Sequence, residues 1–280
     1  MIDAHCHPWD LRSYSENSEE ERRKTKTSCA ANSWNIKQFE YHENLALKAM
    51  EDGAPRIYNT FALHPQLSPF YLESPKEGGD TGDNKIPSLV SGLGHLQSLA
   101  MQGRLHAVGE TGFDLYDERY RGAEKIQDEM FHCHLEIALK YSLPMILHVR
   151  RAMHKIFPYS RDLKNLPAVI FHSWPGTKED GESLIRRGIN VFFSLGSGVL
   201  LNHKKAIASA ANFPPGRILL ETDAPYQPLR GNNFSSWRDL EQICQGIAAI
   251  RKEAGVMCNT KDELEEQTTA SFMSIFEPPS

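Results

Sequence analysis

Six side chains able to hold a metal ion stand where apolar runs of this chain end: His5 and His7, Glu110, His148, His172 and Asp223. The runs are Met1-Ile2-Asp3-Ala4, Ala107-Val108-Gly109, Met145-Ile146-Leu147, Val169-Ile170-Phe171 and Ile218-Leu219-Leu220-Glu221-Thr222. Each run has the length and make-up of a buried strand. Imidazole nitrogens and carboxylate oxygens are the donors of a mixed divalent-metal site. A carboxylate straight after a buried apolar run is costly unless it is paired or bound to a cation. Glu110 has two oxygens and could bridge two ions, with His5, His7 and Asp223 on one side and His148 and His172 on the other. Asp223 could also accept a proton from water.

His5-Cys6-His7 needs separating from a second HxH, His132-Cys133-His134. With 12 histidines in 280 residues, chance supplies roughly half an HxH per chain, so the motif alone says little. Geometry discriminates. On a strand, residues i and i+2 point the same way and can close on one ion. On a helix the same spacing turns them about 200° apart. The second pair lies in a helical pattern, so His134 is expected on the apolar stripe and His132 in solvent.

Enzymes that gather residues from successive strand ends are commonly (β/α)8 barrels, whose chemistry sits at the C-terminal mouth. Candidate strands lie near 2–6, 27–33, 57–62, 106–110, 144–148, 168–172, 189–194 and 218–222. Between them run helical patterns. Residues 36–52 place Ile36, Phe39, Ala46, Leu47 and Met50 on one side; 124–141 and 235–251 are similar, the last with Ser235 or Ser236 as N-cap. The fold expected is an α/β, TIM-like (β/α)8 barrel filling one domain, residues 1–280. No GxGxxG or GxxxxGK[ST] follows a strand, which removes a Rossmann or P-loop nucleotide site. Two stretches break the alternation. Residues 10–26 are polar with too little apolar surface for a packed helix, and 66–87 are rich in Pro, Gly and charge; both are expected to be surface loops at the rim.

Composition bounds the rest. The chain is 40% hydrophobic and 24% charged, typical of a globular protein. It has no apolar run long enough for a membrane span and no signal-peptide pattern. Five scattered cysteines without a CxxC pair argue for reduced thiols and a cytoplasmic setting. With a net charge of −5, any grip on nucleic acid must be local, because broad charge neutralisation needs a basic protein. A monomer is the default expectation.

The stretches DAHCHP (3–8), ALHP (62–65), AVGETGFDLY (107–116), LHVR (147–150), FHSWPGT (171–177) and LLETDAPY (219–226) resemble, in order, the TatD family of metal-dependent deoxyribonucleases, within the amidohydrolase-like barrels. The resemblance implies that His5, His7, Glu110 and Asp223 bind one divalent metal ion, and that Glu110, His148 and His172 bind a second. It implies that His64 and Arg150 bind the substrate phosphate. It further implies two-metal hydrolysis of DNA, nibbling single strands from the 3′ end, with Glu110 and Asp223 catalytic. The ions could be Zn, Mn, Mg, Fe or Ni. The chain departs from the family at Arg151, where Asp is usual, at His172-Ser173-Trp174 in place of HCF, and at Arg230-Gly231-Asn232-Asn233-Phe234, which lacks the usual proline. These changes touch the rim and leave open the alternative of a small-molecule ester, lactone or amide as substrate.

Overall fold

The computed structural model describes residues 1–73, 80–81 and 84–277. Eight strands, β1 (Ile2–Cys6), β2 (Ser28–Ser33), β3 (Ile57–Phe61), β4 (Ala107–Asp114), β5 (Met145–Arg150), β6 (Val169–Phe171), β7 (Val191–Leu195) and β8 (Ile218–Leu220), pair in parallel in chain order. They alternate with helices, and the sheet curls into a nearly closed barrel. At the seam between β1 and β8, His7 N–H donates to the Ala224 carbonyl at 2.8 Å and Asp223 N–H to the His5 carbonyl at 3.0 Å. Below these, buried Asp3 accepts from both the N–H and the hydroxyl of Thr222. The seam is therefore stitched by the same segments that carry three of the candidate ligands.

Alternation along the strands sorts side chains into two layers. Phe61, Val108, Leu147, Phe171, Phe193 and Leu220 point outwards and pack with helix residues such as Phe39, Leu96 and Phe131. Ala4, Ala30, Tyr58, Ala107, Ile146, Ile170, Phe192 and Leu219, one from each strand, meet inside. Phe272, Ile275 and Phe276 of the C-terminal helix Lys261–Phe276 close the floor of that inner cluster. The opposite end of the barrel is left for polar side chains.

Several sequence expectations need correction. Residues 10–26 are not a plain loop: Ser18–Lys24 is a helix. Its anchor is polar. Arg22 is fully buried, donating to the carbonyls of Thr27 and Pro55 at 2.8 and 2.7 Å and to Glu19. Hydrophobic counting could not see it. Within 66–87, Ser68–Glu73 is helical with Tyr71 buried, while 74–79 and 82–83 lie outside the described residues. Helix Ile36–Glu51 buries Gln38, Phe39, His42 and Ala49, and leaves Leu47 and Met50 exposed. His42 sets that face: its Nε2 accepts from Trp9 N–H at 3.0 Å and its Nδ1 lies 2.8 Å from the Ser33 hydroxyl. The helix expected from Ser235 begins at Asp239, after Arg238. Finally, β4 and β5 run past Glu110 and His148, so these two residues lie inside strands rather than at their ends.

Candidate metal centre

His5 is carried by β1 and His7 follows it directly. Their Nε2 atoms face each other at 3.2 Å. Glu110 Oε2 lies 3.3 Å from His5 Nε2 and 3.7 Å from His7 Nε2; Asp223 Oδ1 lies 3.5 and 3.4 Å from the same atoms. Four donors bonded tetrahedrally to one ion at 2.0–2.2 Å would stand about 3.3–3.6 Å apart. The donor set fits a cation.

The other oxygen of Glu110 looks the opposite way. Oε1 is 2.7 Å from His148 Nδ1, 3.1 Å from His172 Nε2 and 3.3 Å from His64 Nε2. One buried carboxylate thus divides the cluster into two donor groups. The structure brings His5, His7, Glu110, His148, His172 and Asp223 together, with His64 beside them.

The rings are also held from behind. His5 Nδ1 lies 3.1 Å from the Asn32 amide, His148 Nε2 lies 3.3 Å from Asp114, and His172 Nδ1 lies 3.5 Å from Glu221. Metal-ligating histidines characteristically engage a polar partner through the other ring nitrogen, which fixes the ring's orientation. Gln227 donates to Asp223 Oδ2 at 2.7 Å, leaving Oδ1 turned to His5 and His7. Tyr226 meets the His7 ring edge-on.

His64 differs. Its Nδ1 accepts from Gln66 N–H at 3.2 Å, so the neutral ring carries its proton on Nε2 and is a donor at the cluster rather than a ligand. Burial, opposed by Glu110, lowers its pKa and favours that neutral form.

Electrostatics match a cation site. Burial alone would raise the carboxyl of Glu110, but His64, His172, His5 and His148 outweigh it and hold the group well below the usual carboxylate range. Asp223 and Glu221 are likewise held down against burial, by His7 and His172 respectively. His172 is pushed well above the ordinary imidazole value, because Glu110 and Glu221 overcome its burial.

A cavity of about 760 Å³ opens onto the cluster. Arg150, at the end of β5, lines it and stacks on Tyr116 with its guanidinium 3.6 Å from the ring centre. Arg151 lies over the same ring at 4.5 Å. Sequence reasoning missed Arg119, Tyr120, Trp34 and Phe70, which line the outer wall, with Arg119 over Phe70. No spacing rule joins them, since they come from three separate segments: the turn after β2, helix Ser68–Glu73 and helix Glu118–Gly122. Glu221 and Asp114 were legible in principle, as acids inside apolar runs. Of the histidine pair set aside earlier, His134 is buried against Thr111 and Leu63 N–H, and His132 is exposed.

The sequence matches the TatD related DNase family over residues 2–277. It is 28% identical over 173 residues to the 3'-5' ssDNA/RNA exonuclease TatD of Musicola paradisiaca, covering 58% of this chain and 63% of that protein, just under two thirds of the relative's length. It is 27% identical over 238 residues to the metal-dependent hydrolase YjjV of Escherichia coli, covering 82% of each. The crystal structure of E. coli YjjV superposes with a TM-score of 0.77 at 23% identity, covering 100% of this chain and 98% of that one. A TatD family hydrolase from Entamoeba histolytica superposes with a TM-score of 0.73 at 15% identity, covering 100% and 98%. No helix among the described residues is long and apolar enough to cross a membrane. With the match running through every barrel strand and every residue of the cluster, the chain belongs to the TatD related DNase family and is a hydrolase.

Proposed function

We propose that the chain hydrolyses phosphodiester bonds at single-stranded nucleic-acid ends, DNA in particular, with two divalent cations held in the barrel mouth. The observation that carries this reading is the division of Glu110: one oxygen faces His5 and His7, which also face Asp223, and the other faces His148 and His172, with His64 beside them. When bound there, two such ions would supply charge neutralisation at the phosphoryl oxygens and a lowered pKa of water.

The chain's own residues supply the rest. His64 presents an Nε2–H donor, and Arg150 offers a planar pair of donors matched to phosphate. Asp223 is kept ionised, with Oδ1 turned to His5 and His7 and Oδ2 engaged by Gln227, and would take a proton from the attacking water beside the ion it helps to hold. A cavity of about 760 Å³ is far larger than one phosphate needs and falls in the range of nucleotide-sized sites. Arg119, Tyr120 and Trp34 on its wall add cationic and stacking surface, the means by which single strands are held without base reading.

The test is degradation of single-stranded DNA labelled at the 3′ or the 5′ end, with Mg²⁺ or Mn²⁺, beside the Glu110→Ala protein. Stepwise loss from the 3′ end by the wild type alone is expected. Near-normal turnover by Glu110→Ala would refute the shared carboxylate. A metal-replete wild type that cuts no DNA but hydrolyses a small ester, lactone or amide would assign the barrel to a small-molecule substrate.

A further inference from the structure

A second cavity, of about 330 Å³, adjoins the first and shares Ser173, Pro175 and Gln227 with it. Its inner wall is the end of β7, from Ser194 to Gly196; its outer wall is His203, Lys204 and Lys205. Lys205 Nζ donates to the Pro175 carbonyl at 3.1 Å, which fixes that lysine on the partition between the two cavities.

Three independent features describe what this space would hold. The first is charge. Among the described residues two lysines and a histidine line it and no aspartate or glutamate does, in a chain whose net charge is −5; the adjoining cavity, by contrast, is lined by Asp10, Glu110 and Asp223. The second is backbone polarity. The nine-residue helix Lys204–Asn212 starts here, and its N-cap, His203, makes no side-chain capping bond. Its first N–H groups and the positive end of its dipole therefore favour an anion. The third is a pair of buried polar groups. Ser194 is fully buried and Trp174 is 4% exposed, both border the cavity, and neither Ser194 Oγ nor Trp174 Nε1 has a hydrogen-bond partner among the described residues. A buried donor without a partner is costly, and both groups can donate to an oxyanion. The position agrees with a recurrent solution in (β/α)8 barrels, where loops after the seventh and eighth strands and a helix N-terminus form a phosphate site.

We propose that this second cavity binds a phosphate group, held by the start of helix Lys204–Asn212, Lys204, Lys205, Ser194 and Trp174. The group is either a phosphate of the substrate strand, anchored one wall away from the metal centre, or free inorganic phosphate. The first source rests on the nuclease reading above; the second does not.

Inorganic phosphate titrated calorimetrically into chelator-treated protein tests the site itself. Saturable binding is expected in the wild type and in Arg150→Ala. The double variant Lys204→Ala/Lys205→Ala, altered only at exposed positions, should lose affinity by roughly tenfold or more, with its melting temperature unchanged. Ser194→Ala should weaken binding less. Absence of phosphate binding in the wild type, or equal affinity in the double variant, overturns the proposal. Metal-loaded enzyme then separates the sources. A raised KM of the double variant for a single-stranded hexanucleotide, with unchanged KM for a dinucleotide and unchanged turnover of bis(p-nitrophenyl) phosphate, assigns the site to the substrate strand. Phosphate binding lost in the double variant with both KM values unaltered assigns it to free phosphate. If the wild type cleaves no oligonucleotide but binds phosphate through Lys204 and Lys205, the nuclease reading falls and the anion site stands.

Discussion

Glu110 is the residue on which the site turns, because its two oxygens face two different sets of imidazoles. His172 and His64 both approach Oε1, at 3.1 and 3.3 Å, yet their other ring nitrogens differ. That of His172 faces the carboxylate of Glu221; that of His64 accepts a backbone N–H. The two alanine variants should therefore part company. His172→Ala is expected to lose bound metal, measured by elemental analysis after dialysis. His64→Ala should keep its metal and lose ~10²-fold in kcat/KM, the usual cost of one donor aimed at developing charge. Equal metal loss in both would remove the distinction. A pH dependence follows from the same contacts. Against their burial, His7 is raised by Asp223, His148 by Asp114 and Glu110, and His172 by Glu110 and Glu221. Without metal these rings keep their protons to a higher pH than the usual value of about 6.5. A cation must displace those protons, so its affinity should climb as pH rises through that window and level off above it. Chelator competition at pH 6 and pH 8 checks this: tighter binding at pH 8 is expected, and a flat response would contradict it.

At the scale of elements, two positions show how strands and helices are held in register with the site. Gly112 lies in β4, opposite His148 of β5, at φ +136°. A Cβ there would meet the His148 carbonyl oxygen at 2.1 Å, so any side chain forces apart the two strands that carry Glu110 and His148. Gly112→Ala should cost on the order of 3 kcal/mol, read by urea denaturation, and should lower metal content as well. Arg22 holds helix Ser18–Lys24 through two carbonyls and Glu19. Arg22→Ala leaves the Thr27 carbonyl buried without its donor, while the partly exposed Glu19 keeps Arg23, and should cost ~1–3 kcal/mol. A loss below about 1 kcal/mol would mean that the helix is held by something other than this anchor. Such elements were only partly legible in the sequence. Strands reveal themselves by apolar runs, and all eight were visible; a helix fastened by one buried arginine has no apolar period to read.

The whole molecule separates its two ends. The C-terminal helix covers the barrel floor with Phe272, Ile275 and Phe276, packed on Ala4, Tyr58, Ile170 and Leu219, and the metal cluster occupies the mouth. Stability and chemistry are thereby placed apart. Phe272→Ala should cost ~3–5 kcal/mol in thermal or urea unfolding while leaving metal content and KM unchanged. A changed KM in that variant would show that floor and mouth are coupled.

The sequence by itself determined the order of the eight barrel strands, the barrel, and the residue types and chain positions of six candidate ligands; the short pair Asp80–Thr81 and Asn84–Lys85 escaped it. Those follow from local signals: apolar or β-branched runs for most strands, and a charged or imidazole side chain breaking five of them. Only the tertiary structure decided which oxygen of Glu110 faces which imidazole, that His64 points a donor at the cluster, and that Asn32, Asp114 and Glu221 back the histidine rings. It alone gathered Trp34 and the helix residues Arg119 and Tyr120 onto one cavity wall, and set Ser194, Trp174, Lys204 and Lys205 around another. The reason is physical. Burial of a strand is written in the strand's own composition, whereas the facing of two side chains depends on the closure of the barrel between them, which no single segment encodes.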